Sequence, residues 1–333
     1  MKINRYYIPI LSLFLALVVI SSCTGCSHRK SLPEKIEKVK ISRYEKALFA
    51  LDPNNLAAGL KNIAKDYRFF IGEGYTDTLN IIQIHDFITD PAIKNLYAES
   101  QKAFPDLVNL EQALAGEFYY FKQNLPGWNY PHVYSYVSGL LYEYPVQYYD
   151  SVLIIALDMY LGEQFEPYKQ LGLPHYKIAR MKEEYIAADC AKEIASRIVK
   201  PGKNEKTLLD QMVSYGKVLY LMDVALPDVA DTLKIGYPGK KMEWCEKNEG
   251  NIWAFIIENQ LLFSTDSYKT QKFIQDAPFT SGMSNESPGM IGRWLGWRII
   301  RAYVKKSHCS VLELLNTTDS QMILEKSGYK PRQ

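Results

Sequence analysis

The sequence predicts an α+β fold that is predominantly helical, with a small sheet near its middle. Three observations support this prediction: apolar residues recur at helical spacing through most of the chain, two β-rich runs lie between residues 133 and 160, and Pro or Gly separates many segments. Apolar residues make up 47% of the sequence, which is ample for a packed core.

The first helices are predicted after residue 52. Asp52-Pro53 is a typical helix start, and the apolar residues between Leu56 and Tyr67 share one helical face. Pro91 begins another helix that we expect to extend through Lys102. The apolar residues of 107–121 again trace a single face, which predicts a third helix in this part of the chain.

The middle of the chain changes character. Residues 133–137 alternate between apolar and polar side chains, which predicts a strand. Residues 151–160 form a β-rich run bounded by Asp150 and Gly162, and we interpret it as a second, largely buried strand. A helical period also fits part of this second run.

Four further helices are predicted in the second half. The first is a long amphipathic helix over Ile178–Val199, stopped by Pro201-Gly202. The remaining three are expected over 205–223, 241–262 and 288–304.

The last of these helices carries an unusual pattern of glycines. Gly289, Gly292 and Gly296 recur every three or four residues, with Trp294 and Trp297 beside them. On a helix they form a bare strip that lets another backbone approach closely. Each interior Gly costs about 1 kcal/mol relative to Ala, so the strip indicates a packing requirement. Three arginines between residues 293 and 301 argue against a membrane helix.

The amino terminus resembles a bacterial lipoprotein signal. Lys2 and Arg5 precede an apolar run over residues 8–20, and the run is followed by Ser21-Ser22-Cys23. A helix of this length rises about 20 Å, which is short for a bilayer core of about 30 Å, although a single-pass anchor is the alternative. Residues 20–23 resemble a lipobox. We therefore expect cleavage before Cys23, followed by acylation of its thiol and new amino group.

Cys26 is the alternative lipidation site, because Gly25 precedes it, but Cys23 then occupies the place of the branched residue. The predicted organisation is a signal peptide over 1–22, a lipidated flexible tether over 23–40 and a mostly helical domain over 41–333. A lipid-anchored protein of this kind faces the periplasm from the cell envelope. The residue after Cys23 is Thr24 and not Asp. By analogy with lipoproteins of other bacteria, this favours sorting to the outer membrane.

Charge and cysteine content narrow the function classes. Removal of residues 1–22 takes away two basic residues and no acidic one, so the mature chain has no formal net charge. This balance argues against a nucleic-acid partner, which requires a basic surface. A Cys190–Cys245 disulfide is conceivable in an oxidising compartment, but the wide cysteine spacing favours free, buried thiols.

Enzyme signatures are absent from the sequence. There is no HExxH zinc motif, no GxSxG elbow, no phosphate loop and no dinucleotide fingerprint. A zinc site from His132, His175 and distant carboxylates has no specific support, and Cys190 has no His nearby in sequence. Asp189 and Glu193 share a helix face, which is more typical of a solvated surface than of a catalytic pair. We therefore predict no catalytic residue, metal or cofactor.

Several segments together resemble the family of the gliding motility lipoprotein GldB from Bacteroidetes. They are residues 41–49, 156–162, 172–176, 208–227 and 288–303. That family is itself similar to zincin-type zinc proteases, in which a strand precedes the helix that carries HExxH. The equivalent place here is residues 189–193, after the strand at 151–162, and it lacks both histidines. The resemblance therefore implies a degenerate, zincin-like scaffold without its metal ligands.

The predicted function is that of a non-enzymatic accessory or scaffold protein. The resemblance implies partners in the motility and secretion machinery of the envelope, and the lipid supplies the contact with the membrane. One alternative is an envelope hydrolase with an atypical metal site. Another is a ligand-binding protein that uses the tyrosine-rich segment Tyr130–Tyr149 as a groove.

Overall fold

The computed structural model describes residues 36–149, 151–200, 202 and 205–331. The predicted signal peptide, Cys23 and Cys26 lie outside these residues. Every element below belongs to the unit of residues 37–333. Residues 36–40 have no regular secondary structure, and the Glu37 carboxylate forms a salt bridge of 3.1 Å with Lys122. Within the described residues, no helix combines the length and apolar character required to cross a bilayer.

A four-stranded mixed sheet lies in the middle of the fold. Its strands are β1 (Ile41–Arg43), β2 (His132–Tyr136), β3 (Val146–Tyr149) and β4 (Val152–Ala156). The spatial order is β1-β2-β4-β3, with β1, β2 and β4 parallel and β3 antiparallel to β4 at one edge. The two predicted strands are confirmed as β2 and β4, although β4 ends at Ala156, where a 3-10 turn begins. The sequence did not predict β1 and β3.

Both faces of the sheet are covered. Register places Ile41, Val133, Leu153 and Tyr148 side by side on one face, and all four belong to the main hydrophobic core. The other face carries Tyr134, Tyr136 and Tyr149, which contact aromatic rings of residues 67–70. The sheet therefore separates a large core from a smaller one formed by the first helices.

Helices make up most of the described chain, which confirms the predicted fold class. In chain order they are α1 (Tyr44–Phe49), α2 (Leu56–Ile63), α3 (Arg68–Ile71), α4 (Thr78–Thr89), α5 (Pro91–Ala103), α6 (Val108–Asn124), α7 (Glu166–Gln170), α8 (His175–Ile178), α9 (Ile186–Ile198), α10 (Leu208–Ala225), α11 (Asp231–Ile235), α12 (Gly239–Lys247), α13 (Glu249–Glu258), α14 (Ser267–Thr270), α15 (Ile291–Ser307), α16 (Val311–Asn316) and α17 (Ser320–Ser327).

Local signals account for several helix starts. The Asp90 carboxylate accepts hydrogen bonds from the N–H groups of Ala92 and Ile93, so it caps α5 just before Pro91. Asp52 similarly caps a 3-10 turn that leads into α2. Thr207 and Asp210 form a capping box at the start of α10.

Two predicted helices in the second half were wrong by more than one helical turn. The helix expected over residues 178–199 begins only at Ile186, because Lys182 forms an isolated β-bridge with Leu161. The helix expected over 241–262 is divided into α12 and α13 at Asn248 and ends at Glu258. In both cases the apolar periodicity of the sequence continues through residues that are not part of one continuous helix in the structure.

The predicted close approach to another backbone is confirmed for all three glycines, but only Gly296 faces α10, whereas Gly289 and Gly292 face residues 273–277. A Cβ atom built on Gly296 would lie 1.7 Å from the carbonyl oxygen of Met212, and one built on Gly216 would lie 2.4 Å from the carbonyl oxygen of Gly296. The two helix backbones are therefore in direct contact at these residues. Gly289 lies before the helix, since Met290 has a left-handed backbone and α15 begins at Ile291.

An ionic network joins the same helix to its neighbours. The Arg301 guanidinium on α15 donates to both carboxylate oxygens of Asp223 on α10 and of Asp231 on α11. Lys234 also donates to Asp223 at 3.0 Å, and the Trp297 indole donates to it at 2.8 Å. These bonds fix α15 against both partner helices.

Gly296→Ala is expected to lower the free energy of unfolding by about 2–3 kcal/mol, because the methyl group collides with backbone that cannot rotate away. Thermal unfolding of the full-length protein in detergent, followed by circular dichroism, measures this change. Gly239→Ala is the matched control, since its Cβ would meet nothing within 4 Å. We expect the control to be neutral or slightly stabilising. Equal stability of the two variants would contradict the proposed backbone contact.

Candidate functional site

A charged cleft of about 340 Å³ lies between the edge strand β3 and helix α9. We call it the β3–α9 cleft. Its lining residues come from the end of the loop before β3, from β3 itself and from one face of α9. They are Glu143, Tyr144, Pro145, Val146, Gln147, Tyr149, Asp189, Lys192, Glu193 and Arg197.

The strand side of the cleft is a sheet edge. The Ala156 N–H donates to the Pro145 carbonyl at 2.9 Å, and Val146 pairs in register with Ile155. Because hydrogen-bonded and non-hydrogen-bonded pairs alternate in an antiparallel ladder, the N–H and C=O groups of Val146 point away from β4. The side chains of Gln147 and Tyr149 also line this edge.

The helix side of the cleft carries charges of alternating sign. The four charged residues on this side all line the cleft: Asp189, Lys192, Glu193 and Arg197. Glu193 lies four positions from both Asp189 and Arg197, so these three share one face of α9. Glu193 and Arg197 form a salt bridge of 3.5 Å, and the Arg197 guanidinium lies 5.9 Å from the centre of the Tyr149 ring. The sequence placed Asp189 and Glu193 correctly on one face, but that face borders a cleft.

Asp189 is partly buried at the cleft. The Tyr160 hydroxyl donates to its carboxylate at 2.9 Å. Burial raises the pKa of Asp189, while Lys192, the Tyr160 hydrogen bond and Arg180 act in the opposite direction. Burial also raises the pKa of Tyr160 well above its ordinary value, so Tyr160 remains a hydrogen-bond donor at neutral pH. The sequence analysis did not identify Tyr160, because its contact with Asp189 spans 29 residues.

The other sequence-predicted groups do not converge on this cleft. His132 and His175 are both exposed, and the described residues contain no group of three or more His, Cys, Asp or Glu side chains that could hold a metal ion. Cys190 is fully buried, and burial raises the pKa of its thiol well above the ordinary value. A thiol in this state is a poor nucleophile.

The cysteine and tyrosine predictions can also be compared with the structure. Cys190 and Cys245 are both buried, and no disulfide joins them. In the tyrosine-rich segment, Tyr134 and Tyr136 pack against Phe70, whereas Tyr144 is exposed at the cleft. This segment therefore contributes one wall of the cleft and does not form a groove by itself.

Glu117 is a buried acid that the sequence analysis missed. It lies on α6 among Leu114, Ala115 and Phe118, and neither of its carboxyl oxygens has a hydrogen-bond partner within the described residues. Burial raises its pKa well above the ordinary value, so the group is held in its neutral form. An acid three positions after Leu114, inside the apolar face of the predicted helix, is the sequence signal that could have identified it.

The fold and the cleft define a predominantly helical α+β domain with a charged groove at a sheet edge. A family model described as "Gliding motility protein GldB" matches residues 26–331, which is nearly the whole chain. The protein therefore belongs to the GldB family. Comparisons with curated proteins and with solved structures gave no match. The predicted similarity to zincins gains no support from these comparisons.

Family membership associates the chain with gliding motility and with the cell envelope. The match begins three residues after Cys23, and it includes α9, β3 and α15. The region matched by the GldB family model therefore contains both the β3–α9 cleft and the contact between α10 and α15.

Glu117→Gln is expected to stabilise the protein increasingly as the pH rises above about 4.5, the ordinary pKa of Glu. Below that pH, Glu117 is protonated in both the folded and the unfolded state. Between the unfolded and the raised folded pKa, only the unfolded state ionises, which costs the wild type about 1.4 kcal/mol per pH unit. Gln removes this loss because it does not titrate.

The measurement is thermal unfolding of both proteins from pH 4 to pH 8. The exposed Glu243→Gln serves as the control for removal of a carboxylate from the surface. A stability difference between wild type and Glu117→Gln that stays constant with pH would show that Glu117 is not held neutral by burial.

Proposed function

We propose that this GldB family member is a lipid-anchored envelope protein that acts in gliding motility by binding other envelope proteins. It is cleaved before Cys23, with Cys26 as the alternative, and faces the periplasm from the outer membrane. The observation that carries the proposal is the family match, which starts at residue 26, three residues after the last residue of the lipobox. The GldB domain thus follows the lipidation site with no other domain between them.

The proposed lipid anchor and tether would keep the domain attached to the membrane and within reach of its surface. Each acyl methylene transferred into the bilayer contributes about 0.8 kcal/mol, so several chains on Cys23 hold the protein far more firmly than one. Residues 23–36 of the predicted tether, which precede the Glu37–Lys122 salt bridge, would span roughly 20 Å as a flexible chain. This reach lets the domain bind partners near the membrane surface while it stays attached.

Partner binding in the β3–α9 cleft is supported by its chemistry. An extended segment of another protein would pair with the edge strand β3, since the backbone groups of Val146 point away from β4. Lys192 and Arg197 would then attract acidic side chains, while Asp189 and Glu193 would accept bonds from basic or amide groups. Such alternating charges favour specificity over bulk affinity.

Lipidation can be tested with labelled palmitate in the native host. We expect wild type and Cys26→Ala to incorporate the label and Cys23→Ala to lose it, because only Cys23 has the complete lipobox before it. Fluorography of the immunoprecipitated protein measures incorporation. Label retained by Cys23→Ala and lost by Cys26→Ala would move the lipid to Cys26, and no label on any of the three would contradict the anchor.

Partner binding can be tested by photo-crosslinking in cells. A photoreactive phenylalanine analogue replaces Tyr144, which is 58% exposed at the cleft, or Tyr268, which is 92% exposed outside it. We expect the Tyr144 position to form an adduct with an envelope protein, mapped by mass spectrometry to one short segment, and the Tyr268 position not to form this adduct.

Charge reversal supplies the second arm of this experiment. Lys192→Glu with Arg197→Glu should reduce the adduct by about tenfold or more, since two attractive contacts become repulsive. Equal adducts at both tyrosine positions, or an adduct that is insensitive to charge reversal, would contradict binding in the cleft. Peptide hydrolysis by purified protein that contains stoichiometric zinc would instead support the hydrolase alternative.

A further inference from the structure

A group of positive charges lies beside the β3–α9 cleft, between α9, α15 and the loop after α8. It consists of Arg180 from that loop, Lys192 from α9 and Arg293 from the first turn of α15. We call these three residues the α9–α15 cation group. Lys192 also lines the cleft, so the group and the cleft share one side chain.

One short segment of the chain holds both arginines. The Asp276 carboxylate accepts two hydrogen bonds from Nη2 of Arg180, at 2.9 Å and 3.2 Å. Two residues earlier, the Ile274 carbonyl accepts a hydrogen bond from Nε of Arg293 at 2.7 Å. The Arg293 guanidinium also lies 4.0 Å from the centre of the Tyr215 ring on α10. The two guanidinium groups are therefore fixed near each other by contacts with the same three residues.

Several donors of the cation group have no partner. Neither Nη nitrogen of Arg293 forms a hydrogen bond within the described residues, and the Lys192 ammonium forms neither a hydrogen bond nor a salt bridge there. In the same part of the chain, the only buried side-chain atoms without a partner belong to Ser100, Gln101 and Glu117. The two Nη nitrogens of Arg293 are therefore open to solvent, and Lys192 is exposed as well.

The cation group lies in a concave part of the surface and carries an excess of positive charge. Lys192 is exposed, yet the surrounding protein lowers its pKa by desolvation, as expected for an ammonium group in a depression. The charges of Arg180 and Arg293 lower this pKa further, while those of Asp189 and Asp276 raise it. Three positive charges beside two negative ones leave an excess of one positive charge.

We propose that the α9–α15 cation group binds a single carboxylate carried by the extended segment in the β3–α9 cleft, so this inference rests on the proposed function. Because Ile274 occupies Nε of Arg293, the two Nη nitrogens are left to donate to the carboxylate oxygens as a fork. The Lys192 ammonium donates from the cleft side. A monoanion matches the excess charge, whereas a phosphate dianion exceeds it. The carboxylate belongs to the end of the partner chain or to an acidic side chain.

Two pairs of short extended peptides isolate the carboxylate. The first pair is acetyl-trivaline with a free terminal carboxylate and the same peptide as its amide. The second pair is acetyl-Val-Asp-Val amide and acetyl-Val-Asn-Val amide. Saturation-transfer NMR titration of the full-length protein in detergent at neutral pH gives their relative affinities. We expect at least one acid to bind about fivefold or more tightly than its neutral counterpart. The pair with the larger ratio identifies the source of the carboxylate.

Three variants test which cations are responsible. Arg293→Gln should bring the ratio of acid to neutral affinity close to one. Lys192→Gln should lower the ratio about threefold, and it keeps the test valid if Arg293→Gln unfolds, since Lys192 makes no internal bond within the described residues. Arg197→Gln is the matched control on the same helix, because Arg197 lines the cleft but is already paired with Glu193 at 3.5 Å. Equal affinities within both pairs, or a ratio that falls only in Arg197→Gln, would overturn the proposal.

The photo-crosslink at Tyr144 separates a failure of this inference from a failure of the proposed function. We expect Arg293→Gln to reduce the wild-type adduct by about fivefold or more, because the partner loses its charged contact. An adduct of full yield in Arg293→Gln would overturn the carboxylate site and leave binding in the cleft intact. The lack of any adduct in the wild-type background would contradict binding in the cleft itself, and this inference with it.

Discussion

The direct contact between the backbones of α10 and α15 is the constraint on which the helical part of the fold depends. Gly216 and Gly296 allow it, because any larger residue at either position would meet main-chain atoms. Helix α10 packs in turn against α6 and α9, and α9 packs against β3. The width of the β3–α9 cleft is therefore set by a series of contacts that begins at two glycines.

Ion pairs reinforce this contact mainly by fixing the orientation of α15, and less by adding to the stability of the fold. Burial alone would raise the pKa of Asp231, but hydrogen bonds from Arg301 and the nearby charge of Lys234 hold it below the ordinary value. Partly buried ion pairs lose hydration, so their net contribution to stability is modest unless their geometry is good. Here Arg301 is bidentate to two carboxylates from different helices, and this geometry fixes the rotation of α15 about its axis.

Sequence reasoning succeeded where the signal is local. Pro91 predicted the start of α5, and glycine spacing predicted a close approach of two backbones. It failed where the cause is distant. The three residues of β1 are too few for alternation to be recognised, and they become a strand only by pairing with β2, about 90 residues later. The β3–α9 cleft is equally non-local, since neither element alone indicates the other.

The loop over residues 137–145 connects two concave sites. Val137 and Ser138 border a concave site beside α1 and α4, outside the carboxyl ends of β1 and β2, while residues 143–145 border the β3–α9 cleft. The buried Asp158 carboxylate holds the loop between them by accepting hydrogen bonds from the N–H groups of Ser138 and Leu140, each at 2.8 Å.

Gly139 and Leu140 both have left-handed backbones, which lets the loop turn around this one carboxylate. Leu140 adopts the conformation at a steric cost that Gly139 does not incur, so the hydrogen bonds to Asp158 offset local strain. Asp158 therefore anchors the first half of the loop, which borders the concave site beside α1 and α4. The second half is held at its other end, where the Pro145 carbonyl accepts a hydrogen bond from the Ala156 N–H at 2.9 Å.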